Sequence, residues 1–345
     1  MKNEKQSSVL KQGLNEFRSV LTSKIKECNQ VFLIAHKNPD YDAIASLGAA
    51  SLICKRHKKA SYIIIDDLND LPEKEKLMIE KIKEKFIVIT IKDYEDTKTD
   101  NDLLIMVDVN KDFRTSLEGK YKQFKNIIII DHHDVDSHTV KTDYKFITQN
   151  ASSCSEIMYF LINQYKISIS DPCYYTYLLT GIHLDTKRFT KGVFPSTHEA
   201  ANGLCDKGAN QIEVDEFFAL NYESDRRVHA LIDKMSPENV RIMLSVCPDV
   251  CLENEIAQAA DYALNYGCDA TIVAAMLKNG DFKVCARSKG RVDVSNIMHA
   301  LSKTGGGNAF SAACIYNHFV DENASDLEKS EELRKKIVKI LTYKK

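Results

Sequence analysis

Histidine and aspartate residues follow several short apolar stretches of this 345-residue chain directly. The stretch "VFLIA" (31–35) leads into "HKNPDYD", "LLIMV" (103–107) into "DVN", and "IIII" (127–130) into "DHHD", while "GIHLD" ends another apolar segment. The residues concerned are His36, Asp40, Asp42, Asp108, Asp131, His132, His133 and Asp185. Imidazole nitrogens and carboxylate oxygens without thiolates favour manganese, magnesium or iron over structural zinc.

Carboxylates gather at the end of a buried sheet only where positive charge compensates them. Even four of these acids with two of the histidines exceed what a single cation needs, and suit two divalent ions about 4 Å apart that share one carboxylate. Such a pair activates water for attack on a phosphoryl group. Taken singly, Asp40 and Asp42 could equally cap a helix that starts near residue 43. The repetition of the pattern at three strand ends favours the metal site.

The elements that must position these residues alternate between strand and helix patterns. Apolar runs predict strands at 31–35, 61–65, 86–90, 103–107 and 127–130, and helical patterns occupy 43–57 and 72–85. This alternation predicts a doubly wound, mostly parallel sheet, in which ligands bind outside the carboxyl ends of the strands. We therefore predict an α/β fold with a catalytic domain over 1–205, a connecting segment over 206–235 and a smaller α/β domain over 236–345.

The second half of the chain offers a different kind of site. "TGGGNAF" (304–310) places three glycines before a predicted helix, where backbone N–H groups can bind an anion, although a flexible loop is an equal alternative. Arg287 and Ser288 end a predicted strand, and the arginine could bind a phosphate in a bidentate manner. An ordinary surface arginine is the alternative for Arg287.

Composition limits the partners that the protein can have. The net charge of −2 provides no basic field for a long nucleic acid, whereas a short nucleotide needs only a local patch. The ten cysteines lack a CxxC pattern, which predicts buried free thiols in a reducing cytosol. Neither a leader nor an apolar membrane span is evident, so we expect a cytoplasmic protein without membrane contact. Surface or core packing is expected for the other histidines: His57, His138, His183, His198, His229, His299 and His318.

In their order, "HKNPDYD", "VDVN", "DHHD" and "HLDT" resemble the motifs of the DHH phosphoesterases. "CARS" and "GGGN" are similar to motifs of the DHHA1 substrate-binding domain, which implies a cleft between two domains. "ASSCSE" and "DTKRFT" look most like the catalytic module of the cyclic-di-AMP phosphodiesterases. The membrane-bound members carry transmembrane, PAS and degenerate GGDEF regions before this module, so the resemblance implies a freestanding version here.

The resemblance also implies a role for each motif residue. One metal ion would be held by His36, Asp40 and Asp108, and a second by Asp42, Asp108, His132 and Asp185, with Asp108 bridging the two. Manganese is the expected metal, with magnesium or iron as alternatives. His133 would lie beside the scissile phosphate, and Asp131 would orient the histidine pair. The residues implied in substrate binding are Arg287, Ser288, Gly305, Gly306, Gly307 and Asn308.

The resemblance implies a phosphodiesterase that cleaves cyclic-di-AMP or its linear product pApA through a metal-activated water. Stand-alone relatives include nanoRNases and pAp phosphatases, so short oligoribonucleotides and 3'-phosphoadenosine 5'-phosphate are alternative substrates. A nucleotide-binding sensor with little catalysis is a third hypothesis, since Asn308 stands where family members usually have histidine. The sequence leaves a homodimer open.

Overall fold

The computed structural model describes residues 2–66, 68, 71–219, 221–238, 241–303 and 305–342. The chain divides into two compact units, Met1–Ala219 and Leu220–Lys345. The segment predicted as a connection, 206–235, contains one helix of each unit, Gln211–Phe217 and Tyr222–Asp233. None of the helices in the described residues is both long enough and apolar enough to cross a bilayer.

The first unit contains six strands and eight helices among its described residues. The strands are β1 (Val31–Ile34), β2 (Ser61–Ile64), β3 (Ile87–Ile89), β4 (Leu103–Val107), β5 (Asn126–Asp131) and β6 (Tyr144–Ile147). The helices are α1 (Lys2–Glu27), α2 (Tyr41–Arg56), α3 (Glu73–Lys83), α4 (Ile91–Thr97), α5 (Cys154–Gln164), α6 (Cys173–Asp185), α7 (Pro195–Asp206) and α8 (Gln211–Phe217). Single 3-10 turns occupy Asp112–Arg114 and Tyr121–Gln123.

The six strands form one sheet in the order β3-β2-β1-β4-β5-β6, and every neighbouring pair is parallel. This confirms the predicted doubly wound sheet. The chain moves outward in one direction from β1 through β2 to β3, and in the other direction from β4 to β6. The reversal between β1 and β4 is the topological switch point, where open α/β sheets form their ligand-binding crevice.

The strands are apolar along their length because core packs on both faces of the sheet. Alternate side chains of β1 divide between two clusters, with Val31 and Leu33 in one and Phe32 and Ile34 in the other. Helix α2 is buried from its first residue through most of its length, since α5 and α6 pack against it. The start of α2 is therefore fixed against both the sheet and two further helices.

The second unit is a smaller α/β unit, as predicted. Its strands are β7 (Ser236–Pro237), β8 (Ile242–Val250), β9 (Ala270–Met276), β10 (Phe282–Ser288), β11 (Gly306–Gly307) and β12 (Ser311–Tyr316). Its helices are α9 (Tyr222–Asp233), α10 (Glu253–Ala263), α11 (Val294–Leu301) and α12 (Asp326–Thr342). The sheet order is β11-β12-β10-β9-β8-β7, with β8 and β9 parallel and the other pairs antiparallel.

The glycine run 305–307 lies in a β-hairpin and does not precede a helix, so that prediction is wrong. Gly306 and Gly307 form β11 and pair with β12, which is the next regular element. The glycines are needed for close backbone approach. A Cβ at Gly305 would overlap with the Met298 carbonyl group, and Gly307 has a φ of +128° that side-chain-bearing residues rarely adopt.

Two neighbouring glycines of this hairpin provide a test of its geometry. A Cβ at Gly307 would overlap with the Ser311 carbonyl oxygen, whereas nothing lies within 4 Å of one at Gly306. We expect Gly307→Ala to lower the free energy of unfolding by about 1–3 kcal/mol. Gly306→Ala should change it by less than about 0.5 kcal/mol. Urea unfolding followed by circular dichroism measures both, and equal losses would contradict the hairpin geometry.

Candidate metal centre

The turn after β1 carries three of the predicted ligands. Asp40 is the N-cap residue of α2, and its Oδ1 accepts hydrogen bonds from the backbone N–H groups of Asp42 (3.0 Å) and Ala43 (3.1 Å). Its other oxygen, Oδ2, lies 3.8 Å from His36 Nε2. The Asp40 carboxylate therefore caps a helix with one oxygen and faces the candidate metal site with the other. For Asp40, the interpretations as a helix cap and as a metal ligand are therefore compatible.

Asp42 has no exposed surface, and the start of α5 holds its carboxylate. Oδ2 accepts a hydrogen bond from the N–H of Cys154, and Oδ1 accepts one from the N–H of Ser155, both at 2.8 Å. These N–H groups lie in the first turn of α5, whose positive end stabilises a buried anion. The sequence analysis did not find this contact, although Ser153 and Glu156 have the spacing that marks a helix start before an apolar run.

Helix α6 passes so close to Asp42 that only glycine fits at position 181. A Cβ on Gly181 would overlap with Ser155 Oγ and lie 2.7 Å from Asp42 Oδ1. Four residues later, α6 ends at Asp185, whose Oδ2 lies 3.1 Å from His132 Nε2. Gly181 thus permits the helix approach that brings Asp185 to the other ligands.

The chain leaves α6 through three consecutive residues in the left-handed conformation. Lys187, Arg188 and Phe189 have φ values of 47°, 57° and 62°, and each such residue costs about 1–2 kcal/mol. Buried Thr186 stabilises the turn, since its Oγ1 accepts a hydrogen bond from the N–H of Phe189 (3.0 Å). Its carbonyl oxygen accepts one from the N–H of Thr190 (2.9 Å). The two hydrogen bonds of Thr186 therefore stabilise the turn that directly follows Asp185.

Asp108 lies between histidines that come from two different strands. It follows β4 directly with a φ of +57°, and its N–H donates to the carbonyl oxygen of Ile130 at 3.0 Å. Its Oδ2 lies 3.6 Å from His36 Nε2, and its Oδ1 lies 3.4 Å from His132 Nε2. This buried carboxylate therefore faces one imidazole with each of its oxygens.

Asp131, the last residue of β5, fixes both members of the histidine pair. It has no exposed surface, and its Oδ1 accepts hydrogen bonds from the N–H groups of His132 (2.8 Å) and His133 (3.2 Å). The same oxygen lies 2.8 Å from His133 Nδ1, and this contact raises the pKa of His133. Since Nδ1 is engaged and the His133 side chain is 46% exposed, Nε2 is the ring nitrogen left for a substrate.

Three buried atoms that face one another make no hydrogen bond within the described residues: Asp108 Oδ1, His132 Nε2 and Asp185 Oδ2. Buried polar atoms without a hydrogen bond are rare in native proteins, and bound cations would supply what these atoms lack. Ligand atoms within 4.8 Å of one another form three groups: His36, Asp40 and Asp108; Asp42, His132 and Asp185; and Asp108, Asp131, His132 and His133. The arrangement fits divalent cations held by oxygen and nitrogen ligands.

Charges within the cluster control its protonation when no metal is bound. Burial lowers the pKa of His36, but Asp108 and Asp40 outweigh burial and raise it to about 11. In the same way Asp108 and Asp185 raise the pKa of His132 to about 11. Burial raises the pKa of Asp108, but His132 and His36 bring it down to about 2. Asp108 thus requires positive charge, which protons on the imidazoles provide and bound cations would replace.

Arg287 and Ser288, which the sequence predicts as phosphate contacts at the end of β10, make hydrogen bonds within the second unit. Arg287 donates from Nε to Asp261 Oδ1 (3.1 Å) and from a terminal nitrogen to the carbonyl oxygen of Ala286 (3.1 Å). Ser288 Oγ accepts a hydrogen bond from the N–H of Gly290 (3.0 Å). Both side chains therefore stabilise their own unit, and their contact with a substrate stays a prediction.

Asn308 closes the β11–β12 hairpin. Its side-chain oxygen accepts hydrogen bonds from the N–H groups of Phe310 (2.9 Å) and Ser311 (3.0 Å), which is an Asx-type turn. Its own N–H donates to the Ser311 carbonyl oxygen at 2.8 Å. The residue that departs from the family pattern thus has a structural role, and its predicted contact with substrate remains to be tested.

Comparisons with known proteins show what the chain is similar to. Residues 30–182 match the DHH family, N-terminal domain. The chain is 28% identical over 309 residues to the cyclic-di-AMP phosphodiesterase GdpP of Bacillus subtilis, covering 84% of this chain and 45% of that protein. It is 26% identical over 316 residues to the cyclic-di-AMP phosphodiesterase PdeA of Listeria monocytogenes, covering 88% and 46%. The chain thus spans about half the length of these curated relatives.

Two solved structures share the fold. An exopolyphosphatase-related protein from Bacteroides fragilis superposes with a TM-score of 0.73 at 16% identity, covering 94% of this chain and 96% of that one. Exonuclease RecJ bound to manganese gives a TM-score of 0.53 at 12% identity, covering 95% and 94%. At these identities the similarity shows the architecture alone.

The unpaired atoms around Asp108 predict that metal binding stabilises the folded protein. At a Mn²⁺ concentration about 100 times the dissociation constant, the gain should be about 2.7 kcal/mol, read as a higher Tm. Asp108→Asn should abolish this gain, because the buried negative charge is lost while asparagine tolerates the φ of +57°. The exposed Asp100→Asn is the matched control and should keep it. An unchanged Mn²⁺ effect in Asp108→Asn would refute the assignment.

The close approach at Gly181 predicts a second effect on metal binding. We expect Gly181→Ala to weaken Mn²⁺ binding at least tenfold by calorimetry, because the new methyl group forces α6 away from Asp42. Gly48→Ala is the control, since its Cβ would meet only the movable tip of Ile82 at 3.3 Å and the edge of Tyr174 at 3.5 Å. Equal Mn²⁺ affinities of the two variants would show that the helix spacing does not set the ligand geometry.

Proposed function

We propose that the chain is a metal-dependent phosphodiesterase acting on cyclic-di-AMP, on linear pApA, or on both, and the match of residues 30–182 to the DHH family, N-terminal domain, supports this. The observation that carries the proposal is the set of buried atoms on Asp108, His132 and Asp185 that make no hydrogen bond within the described residues. Relatives named as cyclic-di-AMP phosphodiesterases support the substrate class.

The proposal divides the six candidate ligands between two metal ions. His36, Asp40 and Asp108 would hold one divalent ion, and Asp42, Asp108, His132 and Asp185 a second. When bound, the ions would make a water molecule more acidic and would neutralise charge on the phosphoryl oxygens. An oxygen and nitrogen ligand set of this kind suits Mn²⁺, with Mg²⁺ or Fe²⁺ as alternatives.

His133 is the group that we propose touches the scissile phosphate. Asp131 holds its Nδ1 at 2.8 Å, which fixes the ring and directs the chemistry to Nε2. From there the imidazole can donate a hydrogen bond to a phosphoryl oxygen or to the departing alkoxide. The pKa of His133 is raised by Asp131, so the ring retains its proton more readily than a free imidazole.

The residues predicted to determine substrate specificity do not distinguish the proposed function from a second candidate function. Arg287, Ser288 and Asn308 are all engaged within the second unit, so they do not by themselves favour a cyclic dinucleotide. A nanoRNase or pAp phosphatase would use the same metal centre. A sensor without catalysis is disfavoured, because all six predicted metal ligands lie in the cluster.

A comparison of four substrates tests the proposal. Cyclic-di-AMP, pApA, pAp and RNA of three to five nucleotides are assayed side by side with Mn²⁺, and we expect one of the first two to have the highest kcat/KM. Asp108→Asn should lower turnover at least about a thousandfold, because several kcal/mol of charge stabilisation are lost. Asp100→Asn should match the wild type.

Other outcomes would revise the proposal in defined ways. Preference for the short RNA or for pAp would replace the dinucleotide assignment with the second candidate. Tight binding of a nucleotide without turnover of any of the four would support the sensor. Wild-type turnover by Asp108→Asn would remove the metal centre from the mechanism altogether.

A further inference from the structure

A cavity of about 330 Å³ lies beside the candidate metal centre, within the first unit. His36 lines this cavity while its Nε2 faces Asp40 and Asp108, so the cavity and the metal cluster share one side chain. The rest of its lining includes Asn38, Leu47, Ile64, Ile65, Asp66 and Ser116. None of these residues belongs to the predicted ligand set.

The sheet register builds the walls of the cavity. Ile34 pairs with Ile64 in the parallel β1–β2 ladder, so the segments that leave the two strands lie opposite each other. A third wall comes from the loop after β4, which is tied to the turn by the Lys37 N–H donating to the carbonyl oxygen of Arg114 at 2.6 Å. Leu47 of α2 also contributes to the lining. The cavity is thus fixed by the same elements that position His36.

The lining combines an apolar part with a polar part. Ala35, Leu47, Ile64 and Ile65 are buried apolar residues, whereas Asn38, Asp66 and Ser116 supply an amide, a carboxylate and a hydroxyl group. This composition suits a flat ring with a polar edge.

The one lysine of the lining is already used elsewhere. Lys37 Nζ forms an ion pair with Glu118 at 3.2 Å and donates to the carbonyl oxygen of Phe113 at 3.3 Å. Together with the carboxylate of Asp66, this makes the cavity a poor place for a phosphate group. A phosphate is better accommodated on the far side of His36, at the metal cluster.

We propose that this cavity binds the nucleobase of a nucleotide whose phosphate lies at the metal centre. This inference rests on the proposed function and extends it, since it puts base recognition in the first unit. A cavity at the lower end of the about 300–1,000 Å³ range of ligand sites takes one nucleoside rather than a dinucleotide. The apolar side chains contact the ring faces, and the Asn38 amide and Asp66 carboxylate bind the polar edge.

The polar edges of adenine and guanine can both form hydrogen bonds with Asn38 and Asp66, so the two purines must be compared. A carboxylate only accepts hydrogen bonds, and both the adenine amino group and the guanine N1–H and amino groups can donate to it. The Asn38 amide donates and accepts, as either purine edge requires. Binding of AMP and GMP is therefore measured in parallel, with ribose 5-phosphate as the ligand without a base.

Calorimetry on the full chain with Mn²⁺ tests the inference without requiring turnover. AMP or GMP should bind at least tenfold tighter than ribose 5-phosphate to the wild type. Ser116→Phe, which fills the cavity, should remove this difference, and Asn38→Gly, which keeps the left-handed φ of 53°, should reduce it. Ser170→Phe, at an exposed serine outside the cavity, is the matched control and should retain it.

The outcomes separate this inference from the proposed function. If neither AMP nor GMP binds tighter than ribose 5-phosphate, or if Ser116→Phe retains the difference while folding normally, the base site is refuted. Should Ser116→Phe fail to fold, an unchanged base preference in Asn38→Gly refutes it, and a reduced one supports it. Base-dependent binding without hydrolysis of any dinucleotide supports the base site and refutes only the proposed function.

Discussion

The burial of carboxylates at one edge of a parallel sheet is the constraint on which the structure of this protein depends. Removing a carboxylate from water costs several kcal/mol unless hydrogen bonds or opposite charges replace the lost solvation. The chain satisfies both oxygens of Asp42 with N–H groups of α5 and one oxygen of Asp131 with the histidine pair. Asp108 instead faces two imidazoles and keeps an oxygen without a hydrogen bond. At Asp108 a cation would therefore supply the compensation that N–H groups supply at Asp42.

The helices of the first unit are arranged around this edge. Helix α2 starts with Asp40 as its cap and carries Asp42 into the interior, where the first turn of α5 receives it. Helix α6 comes close enough to contribute Asp185 because residue 181 is glycine. The Asp42 carboxylate accepts hydrogen bonds from the start of α5, lies against α6 at Gly181 and is a candidate metal ligand. A change at this residue would therefore affect helix capping, helix packing and ligand geometry together.

Several features of the site could be predicted from the sequence because they depend on strand order alone. Parallel strands end at a common edge, so the polar residues after β1, β4 and β5 had to converge. Contacts that depend on tertiary approach could not be predicted in this way. The pairing of Arg287 with Asp261, the glycine requirement at 181 and the turn closed by Asn308 all depend on neighbours that no periodicity specifies. The glycine run was misinterpreted because small residues permit close strand pairing as readily as anion binding.

The left-handed turn after Asp185 limits which sequence changes this segment tolerates during evolution. Lys187 and Arg188 are exposed, so these positions have room for other side chains as long as the backbone conformation is kept. The length of the segment is not free, because Thr186 bonds to residues at fixed steps along the turn. An insertion or deletion would break those bonds and release the end of α6. Natural variation here should therefore take the form of substitutions, with asparagine and glycine the easiest to accept.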